Sequence, residues 1–95
     1  QVLPLDNIDY IQAQDDYLCF VVGKNKHRKQ QTMSELEAQL DANRFVRVHR
    51  SFLLNIDRLA KLELYSKDSW LAVLKDGQQI PVSRTGYARI KELIQ

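Results

Sequence analysis

The sequence predicts a mainly β domain with two short helices, an α+β fold built around a mostly antiparallel sheet. Two observations lead to this prediction. Short runs rich in β-branched and aromatic residues recur between turn residues, which is typical of strands joined in hairpins. Only two segments, starting near Thr32 and Ser83, combine a helix-capping residue with apolar residues three and four positions apart.

Length and composition indicate one domain. The 95 residues, 1–95, are enough for a single hydrophobic core, and 44% hydrophobic with 27% charged residues excludes a disordered chain. Cys19 is the single cysteine and lies in an apolar run, so we expect a small core residue and a reducing, cytoplasmic setting. The sequence shows no membrane-spanning run, signal peptide or initiator Met, and we expect a module of a longer protein.

The first third of the chain predicts three strands. Residues 8–13 form a short β-compatible run, and residues 17–22 form a stronger one rich in aromatic and β-branched side chains. Residues 14–16 are typical of a turn between these strands, and residues 23–26 are typical of a hairpin tip. Residues 27–31 would return as a polar strand near a sheet edge.

The first helix is predicted to begin after Thr32. Thr32 and Glu35 have the spacing of a capping box, in which each side chain bonds the other residue's amide. Met33, Leu36 and Leu40 then form a narrow apolar stripe. We expect this helix to lie on one side of the sheet.

A central segment, 44–55, begins as a strand, is interrupted by the polar triplet His49-Arg50-Ser51, and resumes as a strand. The triplet predicts a bend that brings polar side chains to the surface. Residues 42–56 contain three arginines, one histidine and no acid. Arginine at a rigid corner suits an anionic partner, although a solvated bend is the simpler alternative.

The last third predicts a meander and a helix. Residues 59–65 and 70–74 form two strands around a turn at 67–69, and residues 79–82 form a short third strand. Pro81 cannot donate to a ladder, so that strand should lie at an edge or end there.

Ser83 is predicted to cap the second helix. Tyr87, Ile90 and Ile94 would form its buried side, and Gly86 should weaken its first turn.

Basic and acidic residues are segregated along the chain. Three windows, 17–34, 42–56 and 77–91, hold ten of the fourteen basic residues and none of the twelve acidic ones. They cover about half the chain, so we expect a one-sided basic surface. The alternative is that the windows face different directions as ordinary solvated surfaces. The net charge of +2 does not by itself identify a partner.

The sequence lacks the residue groupings of metal sites and of common enzymes. His27 and His49 lie apart, and neither has a cysteine or carboxylate at ligand spacing, so no metal and no cofactor are expected. Phosphate-binding loops, dinucleotide-binding glycine motifs and nucleophile elbows are absent from the sequence. His49 could act as a base for Ser51, but no third group is identifiable, and we expect no enzyme activity.

A DNA partner suits the arginines better. Arg50 lies at the predicted bend, and Arg84 follows the Ser83 cap, where free amides and the helix dipole also favour phosphate. A guanidinium at such a corner can project and pair with O6 and N7 of guanine. Lys24, Lys26, Arg28 and Lys29 would contact phosphates and carry no sequence information. The first helix carries several acidic residues, so loops would read the bases.

Several motifs occur together at defined separations. Residues 44–55 read Arg-Phe-Val-Arg-Val-His-Arg-Ser-Phe-Leu-Leu-Asn, and they are followed by Asp76-Gly77 and, at 80–84, Ile-Pro-Val-Ser-Arg. Residues 8–13 with Asp16-Tyr17, and the helix at 34–40, complete the pattern. This combination resembles a LytTR-type DNA-binding domain over nearly the whole chain.

The resemblance implies an elongated antiparallel β sandwich and an output domain of a bacterial response regulator of the LytR/AlgR family. A receiver domain would be part of the longer protein, with a sensor histidine kinase acting upstream. Such domains bind paired direct repeats in promoters as dimers and bend the DNA, with loops entering successive major grooves. The implied function is sequence-specific binding of double-stranded DNA in transcription regulation.

The resemblance also implies roles for individual residues. Carried over by position, base contacts would come from Arg50, from Arg84, and from the loop at Asp16 and Tyr17, where Asp16 would accept from cytosine N4. Gln12 stands where the family often has Glu. The predicted phosphate contacts are Lys24, Lys26, Arg47, His49, Ser51 and Arg89.

A second interpretation is a protein-interaction module. In that case the basic surface would dock an acidic partner, such as the receiver domain of the same protein.

Overall fold

The computed structural model describes residues 4–95 and confirms a mainly β fold with two helices and two antiparallel sheets. The molecule is elongated, with principal extents of 39 × 25 × 24 Å. Within residues 4–95, the helices are too short or too polar to cross a membrane. The strands are β1 (Tyr10–Gln14), β2 (Tyr17–Val22), β3 (Asn25–Lys29), β4 (Phe45–His49), β5 (Phe52–Asn55), β6 (Leu59–Ser66), β7 (Ser69–Leu74) and β8 (Gln79–Val82). The helices are α1 (Met33–Gln39) and α2 (Arg84–Ile94), and 3-10 turns cover Leu5–Asn7 and Ile56–Arg58.

The first five strands form one sheet in the order β3-β2-β1-β5-β4. The predicted strand at 17–22 is confirmed, and a turn at Asp15 and Asp16 connects it to β1. β3 begins at Asn25 and not at the predicted residue 27, because the β2–β3 turn is confined to Gly23 and Lys24. As predicted from its polar sequence, β3 is an edge strand.

The remaining three strands form a second sheet in the order β6-β7-β8. The register of β6 shifts at Ala60, because Leu59 lies opposite Leu74 while Lys61 lies opposite Val73. Simple alternation of side chains would have separated Leu59 from Leu62, but the bulge lets both pack against the core. Pro81 lies in the edge strand β8, as predicted.

The five-stranded sheet is covered on both faces, which produces two apolar clusters. α1 covers one face, and the second sheet together with α2 covers the other. Cys19 is a buried free thiol, as predicted. The buried residues of the first cluster are Ile8, Ile11, Leu18, Phe20, Met33, Leu36, Phe45 and Leu53. Those of the second cluster are Val46, Val48, Leu54, Ala72, Leu74, Ile80, Val82 and Ile90.

Both predicted helix caps are confirmed. In α1 the amide of Glu35 donates to Thr32 Oγ1 at 3.1 Å, and the amide of Thr32 donates to Glu35 Oε1 at 2.9 Å. The hydrogen bonds that the Thr32 amide and then the Thr32 hydroxyl donate to Glu35 Oε1 lower the pKa of this exposed carboxyl. In α2 the amide of Gly86 donates to Ser83 Oγ at 3.0 Å. Each cap therefore satisfies an amide that the first helical turn leaves free.

The buried side of α2 differs from the prediction at its C-terminal end. Ile90 is fully buried and Tyr87 is half-buried, as predicted, but Ile94 is 53% exposed. Leu93 packs against the core in its place. Leu93 lies three residues after Ile90 and therefore on the same side of α2, so in the last turn Leu93, and not Ile94, contacts the core.

Asp9 organises one end of the molecule, which we call the Asp9 end. Its carboxylate accepts from the amide of Gly23 at 2.9 Å and lies 3.4 Å from Arg58 Nε. Gln78 Nε2 donates to the same carboxylate at 3.4 Å, so the Asp9 side chain joins the two sheets. Nearby, fully buried Asn55 donates to the carbonyl of Ile8 at 2.8 Å.

α2 lies unusually close to β4 at Gly86. A Cβ atom on Gly86 would lie 2.0 Å from the carbonyl oxygen of Val48, so the helix can approach the strand only where a side chain is missing. The next residue, Tyr87, stacks on Trp70 of β7 with ring centroids 4.2 Å apart. The glycine that the sequence alone marks as a weak point is therefore a packing requirement.

Gly86→Ala should destabilise the domain. Helix propensity alone predicts a gain of about 1 kcal/mol. The clash with the Val48 backbone should outweigh it and lower the free energy of unfolding by about 1–3 kcal/mol. Urea unfolding followed by circular dichroism measures the change, with the exposed Ala88→Ser in the same helix as control. A Gly86→Ala protein more stable than the parent would contradict this packing.

Candidate nucleic-acid interface

The predicted bend in segment 44–55 is a two-residue turn formed by Arg50 and Ser51 between β4 and β5. Arg47 Nε donates to the carbonyl oxygens of His49 and Arg50, both at 3.2 Å, and Arg47 Nη2 also donates to the Arg50 carbonyl. Arg47 Nη1 donates to Oε1 of Glu37 in α1 at 2.8 Å. Arg50 is an exposed residue, while its backbone carbonyl oxygen accepts hydrogen bonds from the Arg47 side chain.

His49 holds the same turn from the other side of the backbone. The amide of Ser51 donates to His49 Nδ1 at 3.1 Å, and the imidazole meets the edge of the Phe52 ring at a centroid distance of 5.6 Å. Burial, and then the charges of Arg50 and Arg47, lower the pKa of His49. The imidazole is therefore favoured in its neutral form, with Nδ1 as acceptor.

Hydrogen bonds hold the start of α2 beside this turn. The amide of Ser83 donates to the Val48 carbonyl at 2.8 Å, and the hydroxyl of Ser83 contacts the same oxygen at 3.3 Å. Arg84 is the next residue and begins α2, while Arg50 is two residues beyond Val48. One hydrogen-bonded contact thus brings the two predicted base-reading arginines to the same end of the molecule, which we call the Arg50 end.

A groove at the Arg50 end gathers residues from α1, β4, the turn and α2. Its lining contains three arginines and one acid, so it is predominantly basic. Arg50 and Arg84 are both exposed, and within residues 4–95 neither forms an ion pair. The lining residues are Glu37, Arg47, His49, Arg50, Ser83, Thr85 and Arg89.

The first predicted contact loop also lies at the Arg50 end. The amide of Ala13 donates to the Ser51 carbonyl at 2.9 Å, which places the β1–β2 turn beside the Arg50 turn. Asp15 in that turn has φ of +50°, a conformation that Asp tolerates better than most residues. Asp16 is exposed, and Tyr17 is half-buried under the guanidinium of Arg28, 5.1 Å from its ring centroid.

Two of the predicted phosphate contacts lie elsewhere. Lys24 is in the β2–β3 turn, next to Gly23 and therefore at the Asp9 end. Lys26 lies opposite Val21, which lies opposite Tyr10 at the start of β1. The fold therefore separates both lysines from the surface that carries Arg50, and their contact with DNA stays a prediction.

The sequence did not reveal the ion pairs of two arginines in the acid-free window 42–56. Glu37 comes from α1 to meet Arg47, and Arg44 pairs with Asp6 at 3.0 Å and with Asp57 at 3.2 Å. These partners are distant in sequence or lie just outside the window, so a scan along the chain gave no signal for them. Across residues 4–95, His, Cys, Asp and Glu side chains do not gather in threes as a metal site requires.

Comparison with protein families identifies one match over the chain. The sequence model described as the LytTr DNA-binding domain matches residues 1–95. A solved LytTr DNA-binding domain from Bacillus cereus superposes with a TM-score of 0.87, covering 97% of this chain and 84% of that one. The two are 22% identical in sequence, so this second comparison shows a shared fold.

Known relatives are longer proteins. Sensory transduction protein LytT of Bacillus subtilis (strain 168) is 27% identical over 93 residues, covering 98% of this chain and 39% of that protein. Heme-containing CO-sensing transcriptional regulator RcoM 1 of Paraburkholderia xenovorans (strain LB400) is 32% identical over 101 residues, covering 99% of this chain and 36% of that protein. The chain therefore spans less than half the length of these relatives.

The lowered pKa of His49 predicts a pH-dependent stability. Because the unfolded chain binds the proton more readily, this contribution is complete above the unfolded pKa of about 6.5. It is lost as the pH falls from there through the folded-state pKa, when Nδ1 can no longer accept from Ser51. His49→Asn, which can offer an oxygen near Nδ1, should remove the dependence.

The measurement is the difference in free energy of unfolding between the parent and His49→Asn at pH 7.5 and at pH 5.5. The parent should lose more stability than the variant on acidification. An equal loss in both proteins would show that the Ser51 hydrogen bond does not couple to protonation of His49.

Proposed function

The chain belongs to the LytTr DNA-binding domain family, and from that premise we propose that it binds double-stranded DNA sequence-specifically through its Arg50 end. The observation that carries this proposal is the juxtaposition of the Arg50 turn with the start of α2. The domain would act in transcription regulation, with turns and not a helix face entering the major groove.

Base reading is assigned to Arg50 and Arg84. Both are exposed residues at the ends of rigid elements, with guanidinium groups that no carboxylate within residues 4–95 neutralises. An unpaired guanidinium can donate two hydrogen bonds to O6 and N7 of guanine. The adjacent loop at Asp16 and Tyr17 is a third candidate, in which the Asp16 carboxylate would accept from cytosine N4.

Phosphate contacts would surround these readers. Arg89 and His49 line the same groove as Arg50, and Ser51 is in the turn itself. The neutral imidazole of His49 can donate to a phosphate through Nε2 while Nδ1 keeps the hydrogen bond from the Ser51 amide. Lys24 and Lys26 at the Asp9 end could reach DNA only if the duplex extended or bent along the molecule.

We also propose that the chain is the output domain, 1–95, of a longer cytoplasmic regulator. In this proposal a receiver domain, controlled by a sensor histidine kinase, brings two copies to paired direct repeats in promoter DNA. The length of relatives such as LytT supports an additional domain. The basic groove would face the DNA, leaving other surfaces for domain contacts.

Arg50→Ala and Arg84→Ala should each relax sequence preference. Each change should lower the preference for a duplex selected from a random pool, over a scrambled duplex, by about 1–3 kcal/mol. Gel-shift titrations measure the preference, and circular dichroism checks the fold. Lys75→Ala, which removes an exposed charge at the Asp9 end, is the control and should keep the preference. Unchanged preference in both arginine variants would remove them from base reading.

Affinity should fall steeply with salt. The logarithm of the binding constant should decrease linearly with the logarithm of salt concentration, with a slope of about −0.9 for each phosphate neutralised. Arg89→Gln should make that slope shallower by about 0.9. Fluorescence anisotropy between low and moderate salt measures the slope. Affinity that does not respond to salt would contradict an electrostatic interface.

A further inference from the structure

We propose that Arg47 is a positioning residue for DNA recognition, which aims Arg50 without touching the DNA itself. This inference rests on the proposed function and departs from the sequence-based prediction that Arg47 contacts phosphate. Its basis is the set of internal hydrogen bonds that Arg47 makes with the turn, with α1 and, through its own backbone, with α2.

Arg47 controls the two peptide groups that flank the Cα atom of Arg50. The carbonyl oxygen of His49 belongs to the preceding peptide and that of Arg50 to the following one, and Arg47 donates to both. The amide of Ser51, on the opposite edge of the following peptide, donates to His49 Nδ1. With both peptide planes held, φ and ψ of Arg50 are fixed, and so is the direction in which its side chain leaves the backbone.

The guanidinium of Arg47 is largely committed inside the protein. Of the five N–H groups that a guanidinium carries, the turn carbonyls and Glu37 use at least three. The side chain is 23% exposed, and its charge is already matched by the Glu37 carboxylate at 2.8 Å. A phosphate could bind Arg47 only by competing with Glu37, whereas Arg50 has no such competitor within residues 4–95.

Arg47 also links the turn to both helices. Glu37 belongs to α1, and the carbonyl oxygen of Arg47 accepts from Arg89 Nη1 of α2 at 3.1 Å. The side chain and backbone of one residue therefore register the Arg50 turn against the helix that begins at Arg84. A planar, forked donor is needed for this arrangement, and a lysine of equal charge cannot reproduce it.

The two possible roles of Arg47 predict different results for Arg47→Lys. A phosphate contact would tolerate lysine, because the charge is kept and sequence preference is unaffected. A positioning residue would not tolerate lysine, because lysine lacks the planar, forked set of N–H donors of a guanidinium. We expect Arg47→Lys to reduce the preference for the selected duplex over a scrambled duplex by at least about fivefold, with the salt slope unchanged.

The decisive measurement is a double-mutant cycle with Arg50→Ala, using the duplex selected by the parent 95-residue chain. If Arg47 acts through Arg50, Arg47→Lys should cause little further loss of preference once Arg50 is alanine. Glu37→Gln, which removes the ionic anchor of Arg47 and retains an acceptor, should relax preference in the same direction although it makes the protein more basic.

Arg44→Lys is the matched control, because Arg44 is also a partly exposed arginine with carboxylate partners but holds no residue of the interface. It should leave sequence preference unchanged. The effect of a general loss of stability can then be distinguished from the effect of a misplaced Arg50 side chain. Unchanged preference in Arg47→Lys, or a salt slope made shallower by about 0.9 in Arg47→Gln, would overturn the inference. If the parent chain itself shows no sequence preference, the proposed function fails instead.

Discussion

The carbonyl oxygen of Val48 is the point on which the arrangement of this molecule depends. It accepts from the amide of Ser83 at 2.8 Å, and it lies where a side chain on Gly86 would have to be. The Arg89 bond to the Arg47 carbonyl and the packing of Ile90 against β4 add to this contact between α2 and the five-stranded sheet. The Val48 contact brings the Arg50 turn and the start of α2 at Arg84, which are 34 positions apart in sequence, to the same end of the molecule.

Local signals in the sequence were sufficient for most of the elements. The capping box of Thr32 and Glu35 and the Ser83 cap depend on residues three positions apart, so they could be predicted without knowing the tertiary fold. The same is true of the Arg50 turn, which a polar triplet between two apolar runs marks directly. Arg50 and Arg84 were predicted as base readers for this reason, with the added guidance of the family motif, and that role stays a prediction.

Features that depend on which elements meet could not be predicted in this way. Nothing in the spacing of Glu37 and Arg47 indicates an ion pair, because it forms only after α1 has packed on the sheet. The choice of Leu93 over Ile94 as the buried residue of the last turn depends on how α2 is rotated against the core. Lys24 is instructive because successive hairpin turns alternate between the ends of a sheet, so its separation from the β1–β2 turn was implicit in the strand order.

The stacked pair of Trp70 and Tyr87 has an experimental consequence. Trp70 is the single tryptophan of the chain, and its indole ring lies against the helix that begins at Arg84. Fluorescence excited selectively in tryptophan would therefore report on one known position, the contact between the three-stranded sheet and α2. The intensity and wavelength of Trp70 emission would show, without an added label, whether α2 keeps its contact with the three-stranded sheet when a ligand binds.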